Sequence, residues 1–226
     1  MSRGVLDLVG NTPLIKLRNV TPDRGAEVWL KYEAGNPTGS YKDRVAMSVL
    51  NNAISRHDVS PGDTIVEYTG GSTGSSLAFV SAALGLKFVA VFSDAFSQSK
   101  QLTMEAFGAE VIVEESYGKG ITPELIERMK DRAMSLCDDA NAYYVDQFGS
   151  SDVTVGYEPM GQEIADALDC DVDLLCASVG TGGALMGTRQ GLVKSGSKVS
   201  VVAFEPAQSP FLTTGKGGTH KVEGIG

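Results

Sequence analysis

The chain has 226 residues, with 42% hydrophobic and 21% charged residues and a formal net charge of −9. This is a soluble globular composition, long enough for one large domain or two small lobes with a real core. The negative balance argues against a nucleic-acid or basic membrane-surface binder, and no apolar stretch reaches membrane-spanning length.

Short apolar, β-branched runs alternate with longer amphipathic stretches along the chain. Strands are predicted over 28–32, 64–68, 88–92, 110–113, 142–145, 174–177 and 199–204. Helices are predicted over 41–56, 73–84, 97–107, 123–136, 153–168 and 184–194. The alternation predicts an α/β fold with mostly parallel sheets flanked by helices. Ligands in such sheets lie beyond the carboxyl ends of strands, and two glycine-rich segments fall there, at 69–74 and 180–183.

The peptide Asn36-Pro37-Thr38-Gly39-Ser40-Tyr41-Lys42-Asp43-Arg44 puts a lysine where a turn becomes a helix. The positive end of the helix dipole favours a neutral amine there, and a neutral amine is a nucleophile toward aldehydes. A solvated surface lysine is the plainer reading of this peptide taken alone.

Residues Gly180-Thr181-Gly182-Gly183 join an apolar strand to a helix. Successive amides and the helix dipole make such a turn suited to a phosphate, and a plain strand-to-helix turn is the alternative. No Gly-Lys-Ser/Thr follows, so this is not a Walker A loop. Leu185 stands where a dinucleotide fingerprint needs its third glycine, although Glu205 ends the next strand where a ribose-binding acid would sit. The second loop, Thr69-Gly70-Gly71-Ser72-Thr73-Gly74, offers hydroxyls and amides at a helix start, a donor set for a carboxylate or simply a helix cap. Gln147 follows a short strand and is a third donor candidate.

His57 and His220 have no metal-ligand spacing, no Gly-x-Ser-x-Gly elbow is present, and Asp138-Asp139 and Glu114-Glu115 read as solvated charge. Cys137, Cys170 and Cys176 form no Cys-x-x-Cys pair. An odd count suits reduced thiols in a cytoplasm, and Cys176, in an apolar run, is expected in the core. Asp7 and Asn11 interrupt the apolar residues of the N-terminus, which lacks a signal-peptide pattern.

Together these segments resemble the cysteine synthase and cystathionine β-synthase family of fold-type II pyridoxal-phosphate enzymes. The resemblance runs over essentially the whole chain. It includes Gly10-Asn11-Thr12-Pro13-Leu14, Ser40-Tyr41-Lys42-Asp43-Arg44, Pro61-Gly62-Asp63-Thr64, Gln147-Phe148, Gly180-Thr181-Gly182-Gly183, Glu205-Pro206 and His220-Lys221-Val222-Glu223-Gly224-Ile225-Gly226.

The resemblance implies a tryptophan synthase β-like fold of two lobes, a smaller mobile one over 38–146 and a larger one over 1–37 plus 147–226. It implies pyridoxal 5′-phosphate held by Lys42 as the Schiff-base residue, by Ser72, and by Gly180, Thr181, Gly182 and Gly183 around the phosphate. It implies a substrate pocket made by Thr69, Gly70, Gly71, Thr73, Gln147 and Gly224. The implied reaction is β-replacement on O-acetylserine or a similar activated serine, with sulfide, through an aminoacrylate intermediate that domain closure keeps from water. A serine dehydratase-like or cystathionine β-synthase-like lyase and a non-catalytic cofactor- or partner-binding remnant are the alternatives. The implied state is a cytoplasmic homodimer acting on a small amino acid.

The sequence departs from the family pattern at four places. Gly70 removes a hydroxyl, Ser72 replaces an asparagine, and Ala184 stands where a threonine is common. Relatives also continue past the position of Gly226, where the resemblance places the group that meets the pyridine nitrogen. The larger lobe is therefore expected to show an incompletely covered sheet.

Overall fold

The structure is a computed structural model that describes residues 4–19, 21, 25–140, 142–168, 171–218, 220, 222 and 224–225. Cys170, Lys221, Glu223, Gly226 and the side chain of Asp139 lie outside that set. In chain order the elements are β1 (Leu14–Leu17), β2 (Val28–Lys31), α1 (Lys42–Ser55), β3 (Thr64–Tyr68), α2 (Ser72–Leu84) and β4 (Lys87–Ser93). They continue with α3 (Gln98–Ala106), β5 (Glu110–Glu114), α4 (Pro123–Ala140), β6 (Tyr143–Tyr144), α5 (Ser151–Val155) and α6 (Glu158–Ala167). The last are β7 (Leu174–Ser178), α7 (Gly183–Lys194), β8 (Ser200–Phe204) and α8 (Phe211–Thr214). The chain divides into two compact units. One holds Lys42–Gly156 with Val222–Gly224, and the other holds the remaining residues.

The unit of residues 42–156 is built on a parallel sheet of order β5-β4-β3-β6. Its central strand β3 is buried on both faces, from Ile65 to Tyr68. A strand covered on both sides reads as a continuous apolar run, and Glu67 is the exception within it. Val66 and Tyr68 join Val91 of β4 and Leu125, Met129 and Ala133 of α4 in one core cluster. α1 and α2 pack on each other, and α2 also packs on β3 and β4. Leu50 of α1 and Leu77 of α2 are both fully buried, each burial contributing about 1.5–3 kcal/mol. Asp152 of α5 ties back to α1 by accepting from Asn52 Nδ2 at 2.9 Å and Arg56 Nη1 at 2.9 Å.

The other unit contains an antiparallel pair, β1-β2, and a parallel pair, β7-β8. Helices α6 and α7 cross closely there. A Cβ on Gly191 would lie 2.0 Å from the Glu158 carbonyl oxygen, and one on Gly161 would lie 2.2 Å from that of Thr188. Only glycines allow the two backbones so near.

Two expectations are corrected, and one strand is added. The predicted helix over 153–168 is two helices, α5 and α6. Pro159 lacks the N–H that would close on residue 155, so the chain ends one helix and starts another with proline in its first turn. β1 is a strand that the sequence pattern did not announce, because Lys16 stands inside a run of four. Cys176 is exposed, not core. Residues 174, 176 and 178 all point to an open face of β7, and Leu174, Val202 and Phe204 are exposed with it. The incompletely covered sheet expected from the resemblance is therefore present.

Candidate active site

Lys42 is the first residue of α1, so the turn-to-helix junction read from the sequence is where its amine sits. Burial pushes the amine down to about 8. Desolvation disfavours the ammonium form, and this cause outranks the dipole invoked from sequence. A lysine so placed holds a substantial neutral fraction near physiological pH and can attack an aldehyde carbon.

In the same unit, β3 delivers the chain to Thr69, and α2 begins at Ser72 after Gly71 as its N-cap. Gly71 has no side chain to cap the helix. Thr69 does that work: its Oγ1 accepts from the N–H of Gly71 at 3.3 Å and of Gly74 at 3.2 Å. The N–H groups of Ser72 and Thr73 lie in the first turn, where no intrahelical acceptor exists. Such N–H groups at the positive end of a helix dipole favour an anion.

Thr73 and Gln147 lie 74 positions apart in sequence and meet in a buried hydrogen bond, Thr73 Oγ1 donating to Gln147 Oε1 at 2.8 Å. Gln147 Nε2 donates to the Tyr68 carbonyl at 3.2 Å, which leaves its second hydrogen for a ligand. The Gln147 backbone N–H donates to Glu67 Oε2 at 3.1 Å. The turn that makes this possible passes through Asp146 at φ 52°. Asp tolerates that left-handed conformation better than bulkier residues.

Glu67 and Asp146 were not marked by the sequence reading. The available mark was a lone carboxylate inside the apolar strand 64–68. Glu67 is fully buried, and burial pushes its carboxyl up to about 8. The N–H of Gln147 opposes that shift and the charge of Asp146 adds to it. Oε1 of Glu67 has no hydrogen-bond partner among the described residues. Gly224 clusters with this unit and has φ 78°.

The second candidate loop belongs to the other unit. β7 leads through Val179 and Gly180 to Gly182, the N-cap of α7, at φ 79°. That left-handed conformation favours glycine, which is the local reason for the residue. Thr181 Oγ1 accepts from the Gly183 N–H at 3.4 Å. No acceptor among the described residues meets the N–H groups of Thr181 and Gly182. A turn of unpaired amides at the start of a twelve-residue helix fits a phosphate. Ala184 adds no hydroxyl. Glu205, the acid that mimics a ribose binder in sequence, is spent locally: its carboxylate accepts from the N–H of Leu212 at 2.6 Å and of Thr213 at 3.0 Å, capping α8.

Comparison with known proteins gives the family. The chain is 36% identical to the cysteine synthase of Staphylococcus aureus over 230 residues, covering 98% of this chain and 70% of that protein. The solved structure of an O-ureido-L-serine synthase superposes with a TM-score of 0.90 at 31% identity, over 100% of this chain and 70% of that one. The cysteine synthase of Entamoeba histolytica superposes with a TM-score of 0.89 at 32% identity, over 100% of this chain and 67% of that one. Residues 5–226 match the family described as pyridoxal-phosphate dependent enzymes, and the chain belongs to that family.

Proposed function

We propose that the chain catalyses β-replacement on O-acetylserine or a similar activated serine, with sulfide as the nucleophile and L-cysteine as the product. The observation that carries this reading is the buried Lys42 amine at the start of α1, lowered to about 8. Pyridoxal phosphate, when bound, supplies the electron sink that lets a substrate α-proton leave.

The chain's own residues do the rest. Lys42 anchors the cofactor's aldehyde carbon and, as a neutral amine, takes and returns the proton at the substrate α-carbon. The amides of Thr181 and Gly182 and the start of α7 hold the phosphate. Ser72 reaches toward the cofactor ring as a short hydrogen-bond donor. The substrate carboxylate is received by the loop of Thr69, Gly70, Gly71 and Thr73, by the second amide hydrogen of Gln147, and by the dipole of α2. Gly224 lines the pocket through its backbone. The protein works as a homodimer in the cytoplasm; this rests on the family resemblance.

The test is to add pyridoxal phosphate to the purified protein, record the visible spectrum, reduce with borohydride and map the labelled peptide. Label on Lys42, with cysteine produced from O-acetylserine and sulfide, is the expected result. Label scattered over surface lysines would sink the proposal.

A further inference from the structure

Gln147 is fixed at three atoms by residues far from it in sequence. Its N–H donates to Glu67 Oε2 at 3.1 Å, its Nε2 donates to the Tyr68 carbonyl at 3.2 Å, and its Oε1 accepts from Thr73 Oγ1 at 2.8 Å. Glu67 and Tyr68 are neighbours on β3, and the ladder between β3 and the chain after β6 leads up to them: the Val145 N–H donates to the Val66 carbonyl at 3.2 Å. One Nε2 hydrogen of Gln147 remains, the one that receives the substrate carboxylate. Where it points depends on the three bonds that hold the residue.

Glu67 is fully buried, and its two oxygens are unequal. Oε2 accepts from Gln147, whereas Oε1 meets no donor among the described residues. An ionised carboxylate would leave Oε1 as buried negative charge without a donor, the costlier arrangement. A neutral acid carries its proton on Oε1 and keeps Oε2 as the acceptor. The titratable groups around it are Tyr68 on β3, Tyr144 on β6, Asp146 in the turn after β6, and Cys137 on α4. None of these four is a cation that would stabilise the anion. A carboxyl near 8 agrees with the neutral assignment.

The protonation of Glu67 bears on the ligand through Gln147. That one residue would link two negative groups, an ionised Glu67 at its backbone N–H and a bound carboxylate at its side-chain amide. Like charges so placed in a water-poor interior repel, and each disfavours the other. We propose that Glu67 is a positioning residue of the carboxylate subsite: as a neutral acid it holds Gln147 in place, and its ionisation expels the substrate carboxylate. The proposal rests on the reading of Gln147 and the 69–73 loop as that subsite.

The test is calorimetric titration of the cofactor-loaded protein with L-serine from pH 7 to pH 9, in the parent, E67Q and E67L. Glutamine keeps the acceptor and cannot ionise, whereas leucine removes the acceptor. At pH 9 roughly one Glu67 in eleven keeps its proton. The parent is therefore expected to weaken about tenfold relative to E67Q between pH 7 and pH 9. Taking that ratio cancels the titrations of the serine amine, of Lys42 and of the cofactor, which both proteins share. At pH 7 E67L is expected to bind about tenfold more weakly than the parent, and E67Q to rescue most of that loss. The Gln147 amide, followed by NMR, is expected to shift with a midpoint near 8 in the parent and to stay still in E67Q. A parent-to-E67Q ratio that stays flat would overturn the charge effect, and E67L binding as tightly as the parent would overturn the positioning. If neither parent nor E67Q binds L-serine at any pH, the carboxylate reading fails and the proposal with it, while the Gln147 amide still decides whether Glu67 holds that residue.

Discussion

Replacing Glu67 by glutamine keeps an acceptor for the Gln147 N–H and removes the titration. In the folded chain this carboxyl sits near 8 because burial disfavours its charged form; its ordinary value is 4.5. Between those two values the folded state holds a proton that the unfolded state has released. Stability supplied by the neutral acid is therefore complete below 4.5, falls as pH rises, and is gone above 8. Each pH unit is worth about 1.4 kcal/mol, so the parent loses about 5 kcal/mol across the window. The other titratable groups in electrostatic contact with Glu67 are Asp146, Tyr68, Tyr144 and Cys137, and all are retained in Glu67→Gln. The variant is expected to match the parent within about 1 kcal/mol at pH 5 and to exceed it by about 4 kcal/mol at pH 8. Urea unfolding at half-unit pH steps measures the difference. A difference that stays flat from pH 5 to pH 8 would show that Glu67 is ionised in the folded chain and refute the reasoning.

Lys42 obeys the opposite sign. Its lowered amine costs stability below 8, and the cost is relieved as pH rises toward 10.5. Lys42→Met is expected to be about 2 kcal/mol more stable at pH 7, after discounting for partial exposure, with the advantage shrinking above pH 8. Denaturant unfolding reads this, and borohydride fixation of pyridoxal phosphate at residue 42 is expected to vanish in the same variant. Thr73→Val leaves Gln147 Oε1 buried without its donor; it is expected to cost about 1–3 kcal/mol of stability by urea unfolding. Gly191→Ala places a Cβ on the Glu158 carbonyl and is expected to cost about 1–3 kcal/mol, a fall in Tm of several degrees by calorimetry.

Local pattern carried much of the fold. β3 appeared in the sequence with its observed limits because a β-branched run after Pro61-Gly62 permits little else. α1 differed by one residue at each end, and the turn that starts it needed only the Pro-Thr-Gly cluster. The break at Pro159 was legible in principle, since proline removes a helix hydrogen bond wherever it stands. It was passed over because the apolar spacing on both sides is helical. The open face of β7 was not legible from the residues alone: Leu174-Leu175-Cys176-Ala177 reads as buried whether or not anything covers it.

The sequence by itself determined the alternation of strands and helices, the lysine at a helix start, and two glycine turns after strands. Each depends on neighbours a few positions away. Tertiary structure decided what those pieces meet. It placed Glu67 under Gln147, Thr73 against the same residue, and Phe96 on Gly70. These contacts join residues 80, 74 and 26 positions apart in the chain. Desolvation and close packing depend on what surrounds a group in space, and that surrounding exists only once the sheet has assembled.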